Sequence, residues 1–174
     1  MRVPLSKPAK RKQISPKAKS PVSRKPFRIL CLCAEGQGHS ASAATRIKDV
    51  LYDIKPGTPR PALGDKNRYQ MSADGEKVTV TLRGFWKSAK PDRRFKPADA
   101  ERADWIVFPV IVNDEQRLSM LIGDKKTAKL LVHANEKGKV LDTNFLNRPD
   151  AEVKEKIVRA AKAKRMIPER YRRS

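Results

Sequence analysis

The sequence predicts an α/β fold: a doubly wound, mainly parallel sheet with helices on both faces. Three observations predict it. Short apolar runs alternate with amphipathic, helix-period stretches along the chain. The first apolar run, "RILCLC" (28–33), enters a glycine-bearing loop that opens directly into a helix. The most apolar run, "DWIVFPVIV" (104–112), fits a central strand.

Taken in order, 28–33 reads as a buried strand. From Ser40 to Ile54 the apolar residues Ala43, Ala44, Ile47, Val50, Leu51 and Ile54 recur at helical spacing. Ser40 suits the N-cap and "KPG" (55–57) stops the helix. Residues 55–75 read as loop. "KVTVTLRGF" (77–85) alternates Val78, Val80 and Leu82 with Thr79, Thr81 and Arg83, a half-buried strand. Residues 87–102 form a polar connection that ends in a short helix. The 104–112 strand stops at Pro109 or places it at an edge.

"NDEQRLSMLIG" (113–123) reads as a helix capped by Asn113 and closed by Gly123, and "GDKKT" (123–127) as its terminating turn. "KLLVHA" (129–134) and "KVLD" (139–142) are further strand candidates, with His133 a packing residue in the first. A long helix over 148–165 has Pro149 at its start.

Charge divides the chain into three parts. The total is +21, from 40 basic and 19 acidic side chains. Residues 1–27 carry +9 with no acid and residues 159–174 carry +6, leaving +6 for 28–158. The organisation expected is a basic tail (1–27), an α/β domain (28–158), and a basic helix end and tail (159–174). The first segment, rich in Pro, Ser and Lys, buries too little apolar surface to offset its ordering entropy and is expected to be disordered when free.

Such ends attract polyanions by counterion release. Lys7, Lys10, Arg11, Lys12, Lys17, Lys19, Arg24, Lys25, Arg170, Arg172 and Arg173 are the residues expected to meet DNA, RNA or an acidic protein surface. Two cysteines, Cys31 and Cys33, exclude a disulfide framework and favour a reducing compartment. No apolar run approaches a membrane span and the N-terminus lacks a secretory core. An intracellular, cytoplasmic location is expected, nuclear or nucleoid if "KPAKRK" (7–12) acts as an address.

Chemistry concentrates at residues 33–40. In a doubly wound sheet, ligands bind where strands end and helices begin. Cys33 ends the first strand, Gly36 and Gly38 free the backbone to turn its N–H groups inward, and the following helix directs its positive end at the same place. That field favours a thiolate, the nucleophilic form of cysteine. Ala34, Glu35, Gly36, Gln37, Gly38 and His39 would then wrap a phosphate group.

Cys33, five residues, Ser40 and Ala43, together with "RRFKPADAERADWIVF" (93–108), resemble the low-molecular-weight protein tyrosine phosphatases. Their signature is Cys-x5-Arg-Ser after an apolar strand. The resemblance spans about residues 27–160 and implies roles. Cys33 attacks phosphorus to form a phosphocysteine, Ser40 stabilises the thiolate, and a later aspartate, Asp142 or Asp150, protonates the leaving group. No metal or organic cofactor is implied.

The signature arginine is replaced by His39, which offers one donor when neutral where arginine offers a charged fork. The family's Asp-Pro pair is absent as well. A catalytically weakened or inactive phosphate-binding domain is therefore expected, with an active cysteine phosphatase as the alternative. Cys33, Gly36, Gly38 and Ser40 are also similar to the Cys-x2-Gly-x-Gly-x-Ser loop of sugar phosphotransferase IIB components, in which the cysteine carries a phosphoryl group.

Overall fold

A computed structural model describes residues 25–55 and 67–166. It is α/β, with helices packed on both faces of a five-stranded sheet. The elements are β1 (Phe27–Cys33), α1 (His39–Leu51), β2 (Arg68–Ala73), β3 (Glu76–Gly84), α2 (Pro97–Arg102), β4 (Trp105–Phe108), α3 (Glu115–Ile122), α4 (Lys125–Glu136), β5 (Val140–Asp142) and α5 (Asp150–Met166). Short 3-10 turns occupy Pro91–Arg93 and Thr143–Asn147.

The sheet order is β2-β3-β1-β4-β5. Strands β3, β1, β4 and β5 run parallel, and β2 is antiparallel to β3. Strand β1 is central, so side chains on both of its faces are buried, and its apolar run follows from that. Phe27, Ile29 and Cys31 join Val78, Val80 and Leu82 beneath α1 and α5. Leu30 and Leu32 join Ile106 and Phe108 beneath α2, α3 and α4. β3 alternates because its second face, carrying Thr79, Thr81 and Arg83, lies outside that second core.

Several local expectations are revised. Residues 129–134 are not a strand but part of α4. Asp124 caps that helix, accepting from the Lys126 and Thr127 amides at 3.2 and 3.1 Å. Ala128, Leu131 and Ala134 are buried at a three-residue spacing that only a helix brings to one face. His133 is exposed, 3.4 Å from Glu136, and does not pack in a core.

Strand β2 lies in the stretch read as loop. It is an edge strand whose Met71 and Ala73 are buried through pairing with β3, across a turn at Asp74–Gly75 where both residues have positive φ. The cap of α3 is Asp114, which accepts from the Arg117 amide at 3.0 Å, and not Asn113. Strand β4 stops at Phe108, immediately before Pro109.

At the two ends of the described domain, Phe27 and the last turns of α5 are both packed. Phe27 is buried in β1 against Trp105, in an edge-to-face contact with centroids 5.2 Å apart. Helix α5 continues through residue 159 to Met166. Lys164 ties that extension down, donating to Asp104 at 2.5 Å and to the Pro26 carbonyl at 3.0 Å. Among the described residues, no helix is long and apolar enough to cross a membrane.

Candidate functional site: the Cys33–Ser40 loop

The loop connects the end of β1 to the start of α1, at the edge of the sheet where the parallel strands terminate. Cys33 is buried, and its Sγ lies 3.1 Å from Ser40 Oγ. The amide of Gly36 donates to the same sulfur at 3.2 Å. A thiol at this position can use the serine oxygen as acceptor. A thiolate would receive both the hydroxyl and the amide as donors, since the hydroxyl rotates. The sulfur thus sits in a preformed two-donor cradle at a helix N-terminus.

Ser40 does not cap α1, as the sequence suggested. Gly38 is the N-cap, no side chain bonds there, and Ser40 is only 1% exposed with its hydroxyl turned to Cys33. The competing pull is the sulfur, which no other described side chain satisfies. His39 is the first residue of α1 and is exposed. Glu35, Gln37 and Gly38 are exposed as well, and Ala34 is half-buried.

The two glycines differ in what they do. Gly36 has φ +74°, in the left-handed region, and a Cβ on it would stand 2.8 Å from the Gly84 nitrogen. Gly38 has φ −65°, and a Cβ there would meet nothing within 4 Å. Of the two, only Gly36 combines a positive φ with no room for a side chain.

Four residues outside the loop hold it in place, and local pattern reading missed them in this role. Gly84 ends β3 against Glu35 and Gly36 with no room for a side chain. The amides of Phe85 and Trp86 donate to the carbonyls of Cys33 and Ala34 at 3.0 and 2.8 Å, extending the strand pairing into the loop. Buried Arg93 donates from Nη1 to the Gly36 carbonyl at 3.3 Å. The signal for Arg93 was the arginine-bearing segment itself, but its target 57 residues away is visible only in three dimensions.

The expected acids are engaged elsewhere. Asp142 ends β5 and caps the following turn, accepting from the Asn144 amide at 3.0 Å and the Thr143 hydroxyl at 3.3 Å. Asp150 pairs with Arg46, tying the start of α5 to α1. Among the described residues, no hydrogen bond joins either carboxylate to residues 33–40.

Cys31, two residues back on the same strand face, is fully buried. Burial pushes its thiol well above the ordinary value, and the neighbouring Cys33 adds to the effect. Both cysteines are free. Of the basic residues expected to meet a polyanion, Lys25 is exposed just before β1. Lys7, Lys10, Arg11, Lys12, Lys17, Lys19, Arg24, Arg170, Arg172 and Arg173 lie outside the described residues.

Neither a protein-family model nor a curated protein matches this chain.

Proposed function

We propose that this protein is a phosphatase-like domain that binds a phosphate group at the Cys33–Ser40 loop and carries out weakened phosphoryl chemistry or none. The observation that supports this reading is the convergence of Ser40 Oγ and the Gly36 amide on Cys33 Sγ, at 3.1 and 3.2 Å. A structural cysteine needs neither partner. Both groups can serve as donors to a sulfur that attacks phosphorus.

The weakness follows from three features. His39 stands where a bidentate guanidinium would clamp the phosphate oxygens. Glu35, exposed in the loop, repels a dianion. Asp142 and Asp150 are held by other partners, so neither of the two expected acids is poised for the leaving group. In this reading the basic ends dock the domain onto an acidic partner, nucleic acid or a large assembly, in an intracellular compartment.

Hydrolysis of p-nitrophenyl phosphate between about pH 5 and pH 8 tests the site. The expected result is little or no turnover by the wild type, none by Cys33→Ser, and a gain by His39→Arg. Turnover by the wild type that vanishes in Cys33→Ser would instead establish an active thiol phosphatase. For the ends, salt-dependent retention on a nucleic-acid column should be lost when residues 1–24 and 167–174 are removed. These limits leave Lys164 and its anchor intact, and unchanged retention would overturn the docking role.

A further inference from the structure

A cavity of about 240 Å³ opens on the sheet face away from α1, beside α2. Residues 33–40 do not line it. Its walls carry Arg28 from β1, Arg68 from β2, Arg83 from β3 and Arg102 from the last turn of α2. Thr79 and Thr81 form the strand floor.

The charge there is lopsided. Asp99 is the one carboxylate in the lining, and it accepts from Arg83 Nε at 3.0 Å. Arg83 also donates to the Leu82 carbonyl at 3.0 Å, so its guanidinium is held in place and neutralised. Among the described residues, the guanidinium groups of Arg28, Arg68 and Arg102 have no ion-pair partner. Three uncompensated cations around one concavity repel one another, a cost that a bound anion would relieve.

A second observation is independent of charge. Thr79 is 2% exposed, and its Oγ1 has no hydrogen-bond partner. A buried hydroxyl left unpaired is costly, and it points to an atom missing from the cavity. Thr79 lines the floor of the same cavity, so a ligand seated between the arginines would lie directly above it.

We propose that this cavity is a second anion site, which takes a small ligand bearing a diphosphate group. Arginine forks match phosphate oxygens two at a time, and Thr79 adds a donor from below. The volume is many times the roughly 10–15 Å³ needed to hold one water, which leaves room for two linked phosphates.

The test is titration of the full chain with inorganic diphosphate, followed residue by residue through amide chemical shifts. Shifts should appear at Thr79, Thr81 and Ala103, separately from any at residues 34–40. Arg68→Gln with Arg102→Gln should weaken the cavity response by about tenfold or more and leave the loop response unchanged. Both residues are exposed, so the fold should tolerate the change. Thr79→Val keeps the shape, removes the unpaired hydroxyl, and should weaken binding several-fold in a protein at least as stable as wild type. Shifts confined to 34–40, absent cavity shifts at millimolar diphosphate, or a cavity response undiminished in these variants would each overturn the proposal.

Discussion

Gly36 and Gly84 meet backbone to backbone, and neither has room for a side chain. A Cβ on Gly84 would lie 2.7 Å from both the Glu35 oxygen and the Gly36 nitrogen, and one on Gly36 would lie 2.8 Å from the Gly84 nitrogen. The first strand's loop is thereby pressed onto the end of its parallel neighbour, and that contact fixes where the Gly36 amide points.

Gly84→Ala should accordingly push the loop off β3, because the colliding atoms are backbone. Overpacking of this kind costs about 1–3 kcal/mol. Thermal unfolding should register the loss, and amide spectra should show residues 34–38 displaced. Gly38→Ala is the comparison: a Cβ there meets nothing within 4 Å, so it should not push residues 34–38 off β3.

Ser40→Ala removes one of the two groups on Cys33 Sγ. Alkylation of Cys33 by iodoacetamide near neutral pH should slow several-fold, since the thiolate loses a donor. Cys31, buried and with its thiol pushed up, should stay unreacted in the folded protein. A Ser40→Ala protein that reacts as fast as wild type would leave the hydroxyl no part in activating the sulfur.

Asp150→Asn should lower stability by about 0.2–1 kcal/mol, the range for an exposed pair, because Arg46 loses its charged partner. Any residual phosphatase turnover should be unchanged. Turnover that falls with Asp150→Asn while stability holds would return that aspartate to the role of general acid.

Asp124→Ala should cost about 1 kcal/mol by uncapping α4. The Thr127 hydroxyl, which donates to Asp124 Oδ2 at 2.5 Å, is the main cause holding this carboxyl below its ordinary value of 3.8. A depressed folded value means the carboxylate contributes stability above the ordinary value, and loses it as pH falls through the folded one. Urea unfolding followed down to about pH 2 should show a smaller acid loss in Asp124→Ala than in wild type.

Much of the fold was legible because it rests on neighbours in sequence. α1, β3 and α5 carry their own periods, β1 and β5 are short apolar runs, and Gly36, Ser40 and Cys33 lie within eight residues of one another. β2 and α4 were not legible. "RYQMSA" has little preference of its own and becomes a strand only by pairing with β3. "KLLVHA" is too short to separate a period of 2 from one of 3.6, and the Asp124 cap decided it.

The sequence by itself determined an α/β chain with a buried central strand and a thiol at its end. It also determined a histidine at position 39 and the two strongly basic ends, since these are matters of composition and local order. Tertiary structure alone decided that Gly38 takes the helix cap in place of Ser40, and that Gly84 and Arg93 hold the loop. It also decided that four arginines from separate elements surround one orphaned threonine hydroxyl. The reason is physical: a parallel sheet brings together residues far apart in the chain, and no local pattern encodes which of them will meet.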